Sequence, residues 1–281
     1  YKAPGPADLG LKERGPAEAE VILAAEQQLL EHARRAGHAR AQLAERELVV
    51  DHRTRQMDVT LRIVPDAVYH FGELELTGAE GVDAAFLRDV IGIRPGARFD
   101  PMLLERARQA LIETQLFSIV QVMMGEPQAE RRLPILVRLE QRRHRSIGGA
   151  IGFASDEGPR LRAFWEHRNI FGKAERLRLE AQLSPLLHET QLRFRKPHFL
   201  SRRQTLVVDG SLRFEDTESF RSRSLRAAAG LERLLGQEIV GTVGVAWRFS
   251  EIRERGREEL FALLSLPASL RLDRTDSLLD P

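Results

Sequence analysis

The sequence predicts α+β modules followed by part of an antiparallel transmembrane β-barrel, about eight strands of which are present. Three observations predict it. The apolar period switches from helical to dyad near Gln141, a β-α-α-β-β succession precedes the switch and recurs in reduced form, and the later alternating runs reach roughly nine to eleven residues, the length a tilted strand needs to cross a bilayer.

Residues 18–36 carry Ile22, Ala25, Leu29 and Ala33 at helical spacing, and Gly37 stands where a left-handed cap would end the helix. Arg46–Asp51 and Met57–Val64 follow as two β-prone runs around the polar segment His52–Gln56, which predicts a hairpin. From Tyr69 the fuller order begins with a strictly alternating strand, Phe71 to Thr77, before Gly78. Asp83 caps and Gly92 ends a short helix over 83–91. Asp100-Pro101 opens a second helix that lines Leu103, Ala107, Ala110 and Leu111 on one face. Ile119–Met124 and Leu133–Leu139 close the module as a strand pair. The first module then resembles the second with its opening strand and first helix missing, a repeat of roughly 75 residues.

Beyond Gln141 one strand parity is apolar and the other polar. Leu177, Leu179, Ala181 and Leu183 alternate with Arg176, Arg178, Glu180 and Gln182, and Leu206, Leu212, Val245 and Trp247 belong to the same apolar set. A soluble sandwich also alternates, so strand length and connections favour a lipid-facing barrel. Phe171-Gly172-Lys173 and Leu235-Gly236-Gln237 read as tight turns, whereas Asp216–Ser219 and Arg253–Glu259 read as the longer charged loops of the opposite rim.

Composition bounds the chemistry. The chain has no cysteine, which excludes disulfide scaffolds and thiolate metal sites, and no run approaches the roughly 18 apolar residues of a spanning helix. The N-terminus from Tyr1 lacks a signal-peptide layout. Net charge is +2, but residues 1–141 hold 18 Lys+Arg against 22 Asp+Glu while residues 142–281 hold 25 against 19. Only four of the 43 basic residues are lysines, which argues against nucleic acid as a partner. His32 and His38 are six apart, which places them on different faces of a helix, and no His-Glu-x-x-His occurs, so no metal residues are assigned. Gly148-Gly149-Ala150-Ile151-Gly152 lacks the Gly-Lys-Ser/Thr of a phosphate loop and reads as strand. Glu166, Arg176, Arg178, Glu180, Arg193 and Arg195 read as a solvated network on the wet face rather than acid–base pairs. No catalytic or cofactor-binding residue is assigned, and no cofactor is expected.

Trp165-Glu166-His167-Arg168-Asn169-Ile170-Phe171-Gly172-Lys173-Ala174-Glu175, followed by Arg195-Lys196-Pro197-His198-Phe199-Leu200, resembles the opening barrel strands of the bacterial outer-membrane assembly-factor superfamily. Residues 69–140 resemble its polypeptide-transport-associated (POTRA) domain, and Asp273-Arg274-Thr275-Asp276 with Leu279-Asp280-Pro281 resembles mid-barrel sequence of its translocation-and-assembly-module branch. The resemblance implies a partial POTRA domain at 1–67, a complete one at 68–141 and the N-terminal half of an outer-membrane barrel at 142–281. Family members carry a signal peptide, further POTRA units and about sixteen strands, so the resemblance also implies a fragment.

It further implies a non-enzymatic factor in the outer membrane with periplasmic POTRA domains. Its partners would be unfolded outer-membrane clients, membrane lipids and an inner-membrane-anchored subunit. The first barrel strand, with Ile147, Gly149, Ile151 and Phe153 on one face, would pair weakly at a lateral seam and template client strands. A secretion pore for one dedicated partner and a barrel-borne hydrolase remain the alternatives.

Overall fold

A computed structural model describes residues 2–12, 15, 18–155, 158–236 and 238–272. The segments 273–276 and 279–281, quoted above for the mid-barrel resemblance, lie outside the described residues, as do Asp156, Glu157 and Gln237. The chain divides into two compact units. The first holds the chain up to Ala79 with Leu87–Glu113 and Phe117–Gln141, and the second holds Glu80–Phe86, Thr114–Leu116 and the chain from Arg142.

In the first unit, α1 (Ala19–Arg35) buries Ile22, Ala25, Leu29 and Ala33, the four residues whose spacing predicts it. Gly37, at φ 93°, terminates it: its own N–H donates to the Arg34 carbonyl and the next N–H, of His38, donates to the Ala33 carbonyl. Together these close a Schellman cap. β1 (Gln42–Asp51) and β2 (Gln56–Val64) form the expected antiparallel hairpin, with β1 starting four residues earlier than its β-prone run. Leu29 and Ala25 meet Leu61 and Ile63 of β2 and, from the N-terminal segment, Leu9 and Leu11.

The fuller module follows as β3 (His70–Thr77), α2 (Ala84–Ile91), α3 (Pro101–Glu113), β4 (Phe117–Met124) and β5 (Arg132–Gln141). Asp83 accepts the Phe86 N–H at 2.8 Å and Asp100 accepts that of Met102 at 2.9 Å, so both helices start at the expected caps. The sheet order is β3-β5-β4, with β3 parallel and β4 antiparallel to β5. Phe71, Leu87, Phe99, Leu111, Ile135 and Val137 are fully buried, and the Phe71 and Phe99 rings lie 5.4 Å apart. The α1 C-terminus ties the two modules: the Gly37 carbonyl accepts the Tyr69 N–H and the Ala36 carbonyl accepts from the Arg98 guanidinium.

The second unit is built on a nine-stranded antiparallel sheet of consecutive hairpins. Its strands are β6 (Arg145–Ala154), β7 (Gly158–His167), β8 (Arg176–Leu183), β9 (Leu187–Lys196), β10 (Gln204–Asp216), β11 (Phe220–Leu234), β12 (Ile239–Glu254), β13 (Arg257–Ser265) and β14 (Ala268–Leu272). β13 and β14 both pair with β12 in one continuous register, interrupted at Leu266-Pro267, so the sheet has eight strand positions. Proline lacks the N–H a ladder needs and breaks the outer strand there.

Register aligns the apolar parity across all eight positions. One row runs Ile147, Trp165, Leu179, Leu192, Gly210, Ala227, Trp247, Leu264, and the adjacent row on the other face begins Ser146, Glu166, Arg178, Arg193, Asp209. In a sandwich a second sheet would cover the apolar row. Here Leu179, Leu192, Trp247 and Leu264 are exposed in one row, a surface suited to lipid. No helix among the described residues is long and apolar enough to cross a membrane.

The connections run opposite to expectation. Arg253–Glu259 is not a loop: β12 and β13 run to a two-residue turn at Arg255-Gly256, whose φ values of 49° and 82° fit the type I′ hairpin. Asp216–Ser219 likewise shrinks to 217–219, while 168–175 and 197–203 at the other end are longer. The charge that suggested loops belongs to strand tips, because β11 and β12 extend to 15 and 16 residues.

Candidate functional site

β6 is the edge of the sheet. Its ten residues pair without a break to β7, from Arg145 opposite His167 to Ala154 opposite Gly158, and no described strand pairs with its other side. The strand brings together the four candidate residues on one face. Ile147, Ile151 and Phe153 are 84%, 87% and 78% exposed, with Gly149 open between them. Leu179, on the same face of β8 but flanked on both sides, is 38% exposed. The missing neighbour accounts for the difference, because side chains on adjacent strands shield one another.

The glycines of β6 divide by environment. A Cβ at Gly148 would sit 2.4 Å from the Phe164 ring, so that glycine is the seat of an aromatic side chain from β7. A Cβ at Gly149 would sit 3.2 Å from the Arg162 carbonyl, and one at Gly152 would meet nothing within 4 Å. Crowding therefore explains Gly148, whereas at Gly152 the effect of glycine is lowered strand propensity.

Behind Phe164 lies a polar network on the sheet's other face. The Arg178 guanidinium stacks 4.2 Å from the Phe164 centroid and pairs with Glu180 at 3.0 Å and Glu166 at 3.6 Å. Glu166 is 8% exposed and also pairs with Arg168 at 2.8 Å. Arg193 pairs with Asp209 at 2.7 Å, Arg195 pairs with Glu232, and Arg176 donates to the Gln115 side chain. The carboxylates considered above as acid–base candidates are thus engaged by arginines, an arrangement that ties β7 to β8 and β9 to β10 and β11 on this face.

At the foot of β6, the His144 carbonyl accepts the Arg168 N–H at 2.8 Å, and the His144 and His167 rings lie 6.3 Å apart. Burial pushes the His144 imidazole below its ordinary value, and the nearby His167 and Arg168 charges push the same way.

The turn 168–175 has a role that the sequence motif did not disclose. Asn169 accepts the Ala174 N–H at 3.0 Å and donates to the Gly81 carbonyl at 2.9 Å. The Gly172 carbonyl accepts the Asp83 N–H at 2.8 Å, and Lys173 lies 3.7 Å from the Asp83 carboxylate. Glu175, 1% exposed, accepts the Lys173 N–H at 2.8 Å with the Lys196 ammonium at 3.8 Å. A buried Asn and Glu satisfied from several sides fix this turn and hold Gly81–Asp83 against it. The signal lay in the polar residues flanking Phe171-Gly172, which require internal partners once the turn folds.

No family model matches the chain, and no curated protein matches it. Solved structures do. Over 97% of this chain and 57% of the other, it is similar to BamA from Haemophilus ducreyi lacking POTRA domains 1-3, at a TM-score of 0.82 and 13% identity. CdiB from Acinetobacter baumannii is similar over 91% of this chain and 50% of that one, at a TM-score of 0.53 and 13% identity. The chain spans about half the length of the structures it matches. By fold, it is a POTRA-type β-α-α-β-β region followed by part of an antiparallel β-barrel.

Proposed function

We propose that this chain is part of a bacterial outer-membrane assembly factor, with its α+β modules in the periplasm, that inserts or translocates client β-barrel and autotransporter proteins. One observation carries the proposal: in the chain a POTRA-type β-α-α-β-β module is followed directly by a sheet whose apolar parity stays in register across eight strand positions and whose first strand, β6, is rich in glycine. Glycines in β6 lower its strand propensity, so its pairing with a neighbouring strand is weak and can open for a client strand. Client strands are captured first by β-augmentation in the periplasm, where β4 lies at the edge of its sheet with Ile119, Met123 and Met124 exposed. They then pair with β6 across a lateral seam. Strand pairing and burial of apolar client surface in lipid drive the process without nucleotide.

In the finer form of this proposal the chain is closest to TamA, the outer-membrane subunit of the translocation and assembly module, and works with an inner-membrane-anchored subunit. The engagement of the inner-face carboxylates by arginines favours assembly over hydrolysis. The similarity to CdiB supports a second reading, a secretion pore for one dedicated partner. Counting the clients that depend on the protein separates the two.

A disulfide engineered between β6 and the barrel's closing strand tests the seam. The chain has no cysteine of its own, so the introduced pair is unambiguous. Locking should stop client assembly while the barrel stays folded; undiminished assembly with the bond verified would overturn the proposal.

A further inference from the structure

We infer that the lipid-facing side of the sheet holds the phosphate of a lipid headgroup between β9, β10 and β11, with Arg221 and Arg223 as its ligands beside His188 and Phe214. The inference rests on the membrane-spanning reading of the sheet. Along this face the row Thr190, Leu212, Leu225, Phe249 is apolar or small, and the next row toward the β10–β11 turn changes abruptly to His188, Phe214, Arg223, Glu251. The row beyond it places Asp216, Arg221 and Arg253 together. These cations share the parity of the lipid face, whereas the arginines of the polar network lie on the opposite parity.

A cavity of about 270 Å³ opens there, lined by His188, Phe214, Arg221 and Arg223 together with two carboxylates, Glu215, which is held by Arg213, and Asp216. Its charges are unequally satisfied. Arg221 pairs with Asp216 at 2.8 Å and Arg253 pairs with Glu258. Arg223 is exposed and pairs with no carboxylate among the described residues, although Glu251 stands opposite it in the ladder. An arginine at the end of an apolar band extends its guanidinium to the headgroup level. There it meets phosphate, which it binds through parallel N–H donors. Phe214 supplies the aromatic contact typical of that depth. Acyl chains attached to the phosphate would lie along Leu212 and Leu225, a continuity that free phosphate cannot use.

The test uses the protein in nanodiscs containing either a bis-phosphorylated glycolipid or the same lipid enzymatically dephosphorylated, with bound lipid counted by native mass spectrometry. The phosphorylated lipid should be retained selectively. Arg223→Gln and Arg221→Gln should each weaken retention about fivefold and the double variant more, while Arg248→Gln, on the opposite face, should leave it unchanged. Arg223→Lys should bind at an intermediate level, and unchanged circular dichroism certifies that each variant is folded. Equal retention of both lipids by an inserted protein would overturn the headgroup site and leave the barrel reading standing. Failure of the protein to enter the bilayer would overturn both. Inorganic phosphate at millimolar concentration should not displace the lipid; complete displacement would reassign the site to free phosphate and overturn the lipid assignment.

Discussion

β6 and β8 present the same kind of residue to the same side of one sheet and end in different states. Leu179 on β8 is shielded from both flanks, whereas Ile147 and Ile151 on β6 are more than twice as exposed. Hydropathy does not separate the strands, because both alternate. Pairing does: among the described residues, β8 is hydrogen-bonded to β7 and β9, and β6 to β7 alone. Among the described residues, exposure on this face therefore reports strand pairing, and it is high at both ends of the sheet, Leu264 on β13 being 68% exposed.

The largest effect should come from reversing the lipid face on the interior strand. Leu179→Arg should destabilise the inserted protein by about 2–4 kcal/mol, as arginine does near a bilayer midplane, measured by reversible unfolding in lipid. Arg248→Gln, exposed on the polar face, should change stability by less than about 0.5 kcal/mol. Arg178 is a poor control, since it holds Glu166, Glu180 and the Phe164 ring together. Equal effects at Leu179 and Arg248 would remove the distinction between the faces.

Two glycines on β6 should respond with opposite signs. Gly148→Val drives a side chain into the Phe164 ring and should cost about 1–3 kcal/mol by overpacking. Gly152→Val meets no neighbour and should stabilise the strand by up to about 1 kcal/mol through propensity. If a loose edge is the working surface, Gly152→Val should also slow client assembly. Measuring stability and assembly on the same variants separates the packing role of Gly148 from the looseness that Gly152 provides.

The smallest effect should appear with pH at the foot of the edge strand. The folded state holds the His144 value below the ordinary 6.5, so the unfolded segment binds more protons as acidity rises. Stability is then fully present above about pH 6.5 and declines as pH falls through the folded value. Hydrogen-exchange protection at the start of β6, corrected for intrinsic rates, should drop over that window, and His144→Gln should flatten the profile.

Much of the fold was legible because period reports which face of an element is buried. Ile22, Ala25, Leu29 and Ala33 specify α1, Asp83 and Asp100 start their helices, and the parity of Leu177 and Leu179 continues across eight strand positions. Period says nothing of neighbours, and the illegible features are all neighbour relations. Charge at Arg253 and Glu258 suggested a loop, but the two residues face each other across adjacent strands. Three glycines in β6 looked alike until Phe164 was found seated on one of them. The Asn169 and Glu175 network depends on Gly81, Asp83 and Lys196, each distant from it in sequence.

The most direct measurement is site-specific cross-linking to a stalled client in the outer membrane. Single-cysteine variants at Ile147, Gly149, Ile151 and Phe153 would be compared with Leu179 and Leu192 on interior strands, using a client strand that carries the matching cysteine. Cross-links confined to the β6 series, advancing two residues for each two-residue shift of the client cysteine, are the predicted result. Cross-links of equal yield at Leu179 and Leu192, or none at β6 while assembly proceeds, would contradict the assignment of β6 as the client-pairing edge.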